Sequence, residues 1–435
     1  MQFDTEMSRY EGIIREWVMG KLARTCREPA GCLKYPFVDP GGGYEGNLWD
    51  WDSFWSVYGM LNLLDKDGAL NGVKTVADRP WSEYAEGNIA NFFDHQEKDG
   101  YIPTCILSFE EESYQIIKHR EGEVLNMHKP FLAQQIALIS GWKQDRRWAA
   151  QYKDGLAAYF ARYEADYFNT NCGLYVWADD VMIGMDNDPA TFGRPRFSTA
   201  NLFLNSFMVA ELRAGASLFA DWGDASLAAT LQERERKLSE AIREECWDRR
   251  DQIFYSVDVD VKTRPYHWYH KGLGVFWKTL PIKIRAWSSF LPLWAGVASA
   301  EEAAVLADVH ARDETTFLAP YGICSLAMDE RMFDLRATNN PSNWLGPIWL
   351  VVQYCVFRGL MRYGYRDQAA DLCVRALRLL GEDLKRTGTL HEYYDPQSGE
   401  PVMTEDFVNW NVLVLNMVDE LRGGASMGDL IDPMV

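Results

Sequence analysis

The sequence predicts an all-α fold, a closed ring of helical hairpins with short β-hairpins in its loops. Three observations predict it. Apolar residues recur at helical spacing along nearly the whole chain, strand-like alternation is confined to a few short runs, and the breaks between helices carry clusters of Trp, Tyr and Asp. A dozen helices with so few strands fit a ring of paired helices better than an α/β sheet. No short repeat is visible, which argues against a recent solenoid and is compatible with a diverged ring.

The helical elements read as follows. Apolar spacing places helices near 11–24, 52–63, 82–97, 130–140, 147–164, 203–220, 287–297, 348–363 and 408–421. Another starts at Asp224, where Leu227, Leu231, Leu238 and Ile242 form the apolar stripe. Ser299-Ala-Glu-Glu302 has capping-box spacing ahead of an apolar run. Ala369, Leu372, Cys373, Ala376 and Leu380 mark a helix that Asp367 is placed to cap. Strand signals are limited to Tyr175–Trp177 and the alternation from Val257 to Val261. No Pro-, Ser- or Gly-rich linker divides the chain, so 1–435 reads as a single domain.

Composition removes several function classes. A formal net charge of −19 repels polyphosphate and anionic lipid, so the chain is expected to have neither a nucleic-acid nor a membrane partner. The most apolar stretch, Ile348 to Phe357, is interrupted by Gln353 and falls short of the ~20 residues a bilayer span needs. The N-terminus is acidic where a secretory signal is basic, and the eight cysteines lack any C-x-x-C pair. These features predict a cytoplasmic protein with buried free thiols, no metal and no cofactor. They leave its self-association into a homo-oligomer open.

The chemistry is carried by acid-bearing loops. Glycosidic bond cleavage needs two carboxyl groups, one to protonate the leaving oxygen and one to act on water or on carbon. Four loops supply them: Asn47-Leu-Trp-Asp-Trp-Asp-Ser-Phe54, Trp177-Ala-Asp-Asp180, Gly184-Met-Asp-Asn-Asp-Pro189 and His391-Glu-Tyr-Tyr-Asp-Pro396. Beside them stand Tyr44, Trp49, Trp51, Trp55, Trp177, Trp344, Trp349 and Trp410. Their flat apolar faces and polar edges suit the C–H face and hydroxyl rim of a pyranose. The same rings also serve to plug the middle of a wide helical ring, and both readings stand for each of them.

Together, Trp49-Asp-Trp-Asp-Ser-Phe54, Gly184-Met-Asp-Asn-Asp-Pro189, Phe290-Leu-Pro-Leu-Trp-Ala-Gly296, Asn343-Trp-Leu-Gly-Pro-Ile-Trp349 and His391-Glu-Tyr-Tyr-Asp-Pro-Gln-Ser-Gly-Glu-Pro401 resemble the ordered motifs of glycoside hydrolase family 63 and its trehalase-like relatives. The resemblance implies an (α/α)6 barrel and inverting, exo-acting hydrolysis of α-glucosides or α-mannosides, and the leading expectation is a hydrolase of short, soluble α-glucosides, with a small carbohydrate as the substrate. It implies Asp186 as general acid and Glu392 as general base. Asp180 and Asp188 near Asp186 would favour its protonated form, and His391 and two tyrosines beside Glu392 offer donors that would hold it ionised. By resemblance Asp50 and Asp52 grip sugar hydroxyls; helix capping is their other reading. Asn187 and His391, within the same motifs, are further candidate contacts.

The chain departs from the family at Asn343 and Leu345, where relatives have Tyr and Arg, and at Lys129-Pro-Phe131, where they have Gln-Pro-Pro. Lys129 is therefore a candidate for holding an anionic group or neutral hydroxyls of the substrate, against the plainer reading of a surface pair with Glu121 or Glu123. Compact relatives hydrolyse mannosylglycerate or glucosylglycerate, which stands as an alternative substrate class. His267 and His270 keep open a second reaction class, a sugar epimerase or isomerase on a helical toroid, and the aromatics alone would also serve a non-catalytic sugar-binding protein.

Overall fold

The computed structural model describes residues 4–108, 124–261, 277–336 and 342–432. Twelve α-helices lie among them: α1 (Thr5–Thr25), α2 (Asp50–Leu63), α3 (Trp81–Asp94), α4 (Leu132–Lys143), α5 (Lys153–Asp166), α6 (Leu202–Asp221), α7 (Ala225–Ala241), α8 (Leu291–Trp294), α9 (Ala300–Asp308), α10 (Leu350–Arg362), α11 (Arg366–Thr387) and α12 (Leu413–Leu421). Each predicted helical segment contains a helix, though the one expected at 287–297 is a 3₁₀ segment, Trp287–Phe290, followed by only Leu291–Trp294 in α form; the other differences lie at helix ends. α1 begins earlier than its apolar pattern because Asp4 caps it, accepting from the Met7 amide at 2.8 Å. The first part of the helix expected at 147–164 is a 3₁₀ segment, Arg147–Tyr152. Asp367 does not cap α11; Tyr365 occupies that position and Asp367 lies in the first turn, where its charge favours the helix N-terminus. The caps at Asp224 and the Ser299–Glu302 box form as expected.

The even-numbered helices close on themselves. α2 packs on α4, α4 on α6, α6 on α8, α8 on α10, α10 on α12, and α12 returns to α2. Among the odd-numbered helices, α3 packs on α2 and α4, α7 on α6, α11 on α10 and α12, and α1 on α11. Burial follows this division. α2 is buried at every residue from Asp50 to Leu61, whereas α11 is amphipathic, burying Ala369, Leu372, Cys373, Ala376 and Leu380 together with Asp383 and exposing Arg366, Asp367, Asp371, Arg378, Lys385 and Arg386. α6 is apolar and long enough to cross a membrane by composition, but 89% of that stretch is buried inside the protein.

The centre of the ring is filled by aromatic side chains. Trp55 meets Phe131, Phe207, Trp294 and Tyr354 at centroid distances of 6.1, 6.4, 5.7 and 6.0 Å. The plug reading holds for Trp55. Buried polar groups close the helix ends around it: Glu211 of α6 accepts the Ala133 and Gln134 amides that open α4. The strands are short antiparallel pairs, with Val257–Asp258 between Thr199–Ala200 and Leu280–Pro281 and the Val259 amide bonded to the Ser198 carbonyl, so the expected alternation is paired only in its first part. All eight cysteines are free; Cys26 and Cys32 are half-buried rather than buried.

The closing contact between α2 and the segment leading into α12 is tight. A Cβ built on Gly59 would lie 2.0 Å from Val412 Cγ1. Gly59→Ala is expected to destabilise the protein by about 1–3 kcal/mol in urea unfolding. Adding Val412→Ala recovers part of that loss; an unchanged midpoint in the single variant would show the seam to be loosely packed.

Candidate active site

The pocket sits where the loops of the even-numbered helices converge. Strand Asn47–Trp49 pairs antiparallel with Cys105–Leu107 and delivers Trp49 directly to the start of α2, so Trp49, Trp51 and Asp52 all reach the pocket wall. Tyr44, Lys129, Met182, Gly184, Asp186, Ser342, Glu392 and Trp410 complete the lining. Its open space is about 470 Å³. Two larger hollows, of about 1130 and 1100 Å³, contain none of the candidate residues named from the sequence.

Glu392 is 3% exposed and stands on the hairpin His391–Tyr394 with Pro401–Glu405. Its carboxylate accepts from the Tyr44 hydroxyl at 3.2 Å on both oxygens and from Thr404 Oγ1 at 2.7 Å. Burial pushes the group up to about 7; the Thr404 and Tyr44 donors oppose the rise and the Asp186 charge adds to it. The donors anticipated for Glu392 are thus corrected. His391 turns instead to Asp383, with Nδ1 at 2.8 Å from its carboxylate, and Tyr394 donates to the same oxygen at 3.0 Å. Alternation along the strand turns His391 away from the face of Glu392, and the irregularity in register between Tyr393 and Tyr394 accompanies the turn of Tyr394 to the same side as His391.

Asp186 is half-buried and lies in the same pocket. Its loop is fixed downstream by Asn187, which accepts the Trp344 amide at 2.6 Å and donates to Asn343 Oδ1 at 3.0 Å. Asn187 is therefore a bracket in the wall and does not line the pocket. Asp188 is committed to Thr191 and Asn201, and burial lifts it to about 6; Asp180 accepts the Gly193 amide. The carboxyl groups that feel the Asp186 charge are Glu392 and Asp52.

The two aspartates at the head of α2 have different fates. Asp52 accepts from Asn409 Nδ2 at 2.8 Å, and burial pushes it well above the ordinary aspartate range despite the opposing Lys129 charge. Asp50 is fully buried and absent from the lining. Its carboxylate takes the Trp51 amide at 2.7 Å, the Lys129 amide at 2.8 Å and the Lys129 ammonium at 2.8 Å. Lys129 is 2% exposed, so the surface-pair reading is replaced by a buried ion pair; Glu121 and Glu123 lie outside the described residues, as do His267 and His270.

The aromatic candidates divide in the same way. Trp51 lines the pocket and packs on Trp344 and Trp410 with centroids at 5.8 and 5.4 Å. Trp344, Trp349 and Tyr393 form a stack behind it, with centroids at 4.2 and 4.5 Å, and neither Trp349 nor Trp344 is in the lining. Trp177 is buried against Phe203. Sequence reasoning missed Thr404, Asn409 and Ser342. Thr404 and Asn409 touch the pocket only through Glu392 and Asp52, and no local pattern marks such partners.

Comparison with known proteins fits this geometry. The chain matches the mannosylglycerate hydrolase MGH1-like glycoside hydrolase domain family over residues 45–410. It is 32% identical over 155 residues to mannosylglycerate hydrolase MGH1 of Selaginella moellendorffii, covering 35% of this chain and 28% of that protein. It is 26% identical over 236 residues to a probable mannosyl-oligosaccharide glucosidase of Schizosaccharomyces pombe, covering 51% of this chain and 27% of that one. The chain thus matches little more than a quarter of the length of these curated relatives. It shares its fold with a GH63 mannosylglycerate hydrolase of Thermus thermophilus solved in complex with glucose, at a TM-score of 0.67 and 21% identity over 92% of this chain and 99% of that one. The same holds for neutral trehalase Nth1 of Saccharomyces cerevisiae, with a TM-score of 0.59 and 16% identity over 92% and 76%. With the family match spanning both acid-bearing motifs up to Trp410, the chain belongs to the mannosylglycerate hydrolase MGH1-like glycoside hydrolase domain family.

Proposed function

We propose that the chain is an inverting, exo-acting α-glycosidase acting on short α-glucosides, built on an (α/α)6 barrel. Closure of the even-numbered helices and the Thermus likeness support the barrel. The observation that carries the mechanism is Glu392, a buried carboxyl in one pocket with Asp186, held by two hydroxyl donors and pushed to about 7. A base near the working pH combines adequate ionised fraction with proton affinity. In the proposed step Glu392 removes a proton from a water as its oxygen bonds to the anomeric carbon. The bond from that carbon to the leaving oxygen breaks, and Asp186 gives that oxygen its proton. The products are the free sugar and the alcohol. Trp49, Trp51 and Trp410 offer faces to the sugar, and Asp52 offers a hydrogen-bonding carboxyl.

A second reading, hydrolysis of mannosylglycerate or glucosylglycerate, is favoured by the family and by the names of the relatives. A screen of neutral α-linked disaccharides against both glycosyl-glycerates, with the released sugar identified, separates the two.

On either substrate Asp186→Asn and Glu392→Gln are expected to reduce kcat by ~10²-fold or more each. Retention of more than about a tenth of wild-type turnover in one variant removes that residue from its role. Proton NMR in the first minutes should show the β-anomer accumulating from an α-glycoside, as a single displacement requires. Early α-anomer contradicts it.

The elevated Glu392 carboxyl also predicts a pH signature. A base must be ionised, so kcat/KM should fall about tenfold per pH unit below pH ~7. Stability runs the other way. The folded carboxyl binds its proton more tightly than the unfolded one, at about 7 against 4.5, so its stabilising contribution is complete below the unfolded value and is lost as pH rises through the folded one. Glu392→Gln removes this dependence and should melt above wild type at about pH 8, with the gap closing toward pH ~4.5. A gap that does not change with pH would mean the carboxyl titrates normally in the fold.

A further inference from the structure

The acid loop reaches Asp186 through an awkward turn. Met182 has φ +60° and Gly184 φ +88°, both in the left-handed region, and Met182 bears a side chain that disfavours it. Such a turn persists only where its surroundings hold it. The Lys129 ammonium donates to the Met182 carbonyl at 3.2 Å while paired with Asp50 at 2.8 Å. A Cβ on Gly184 would lie 3.2 Å from both Lys129 Cε and Trp51 Cε2, so the turn rests on the lysine stem and the indole. Lys129 is itself pinned at the main chain, its amide to Asp50 and its carbonyl to the Tyr159 hydroxyl at 3.1 Å.

We propose that Lys129 is the positioning residue of the general acid: bridging Asp50 and the Met182 carbonyl, it clamps the 182–186 turn against Trp51 and so fixes where Asp186 delivers its proton. This rests on the reading of Asp186 as the acid. It replaces the expectation of an anion-binding lysine, because the ammonium is already neutralised by a fully buried carboxylate.

The test uses leaving groups that differ in their need for a proton. An alkyl α-glycoside requires protonation of the departing oxygen; the matching α-glycosyl fluoride does not, because fluoride departs as the anion. Lys129→Met keeps the aliphatic stem and removes the ammonium. It is expected to lower kcat on the alkyl glycoside at least tenfold with KM within about threefold, while turnover of the fluoride stays within about threefold of wild type. Equal losses on the two substrates overturn the proposal, as does an effect on KM alone, an effect confined to glycosyl-glycerates, or unchanged kinetics on both. Because Lys129→Met leaves Asp50 buried without its cation, Gly184→Ala provides a second approach that disturbs the clamp without altering charge, and it should give the same split between substrates. Asp186→Asn on the fluoride separates the two levels. Retained fluoride turnover upholds Asp186 as the acid, whereas loss as complete as on the glycoside overturns that assignment whatever the Lys129 variants do.

Discussion

The candidate site depends on the seam that closes the ring. Residues more than three hundred positions apart meet there: Tyr44 with Glu392, Asn409 with Asp52, Ser56 with the same Asn409, and Asn62 with Asp419. A main-chain bridge from Gly41 to Phe407 and the Glu11–Arg422 pair extend the closure to the outer side. The seam is polar because both of its edges carry pocket residues. Gly59 and Val412 supply the tight apolar packing just below that layer. Without this closure Glu392 would lose Tyr44 and Asp52 would lose Asn409, so the protonation of the pocket is a consequence of how the first and last helices of the ring meet.

Closing the ring concentrates carboxyl groups, and each is compensated differently. Asp50 receives a cation and two amides. Asp52 receives one amide and the more distant pull of Lys129, and burial raises it well above the ordinary range. Glu392 receives two hydroxyls, which do not offset its burial. A buried carboxyl without an adjacent cation is held near its neutral form. That condition costs stability at high pH and supplies a proton acceptor of useful strength, so the proposed base is placed where folding would favour a neutral residue.

Much of this was legible in the sequence. Apolar periodicity marks all twelve helices because their packing faces repeat, and the caps at Asp224 and Ser299 follow from side chains that satisfy amides three residues away. Asp186, Glu392, Tyr44, Trp49, Trp51, Asp52, Lys129 and Trp410 share one pocket because their loops leave the same end of the ring. What was not legible is direction. Nothing local says that Glu392 turns to Tyr44 and Thr404 while His391 turns to Asp383, or that Trp344 and Trp349 stack behind Trp51 instead of facing the cavity. Those outcomes are set by strand alternation and by pairing between distant segments, and neither is written in the spacing of a single motif.

The same distinction changes the meaning of the departures from the family pattern. Lys129 is the departure that the sequence offers as a substrate contact, and Asn343 is a second departure. Asn343 is fully buried, accepting from Asn187 and donating to the Asp334 carbonyl at 2.9 Å, and its own carbonyl accepts from Trp349 Nε1. It holds the acid loop from downstream as Lys129 holds it from upstream, through Met182. Both departures therefore bear on how one loop is bracketed. Asn343 receives the Asn187 amide on one side of the turn, and the Lys129 ammonium holds the Met182 carbonyl on the other. The residues that open onto the cavity beside Asp186 and Glu392 include Ser342, Trp49 and Trp410, whereas Asn343 and Asp50 stand behind the wall.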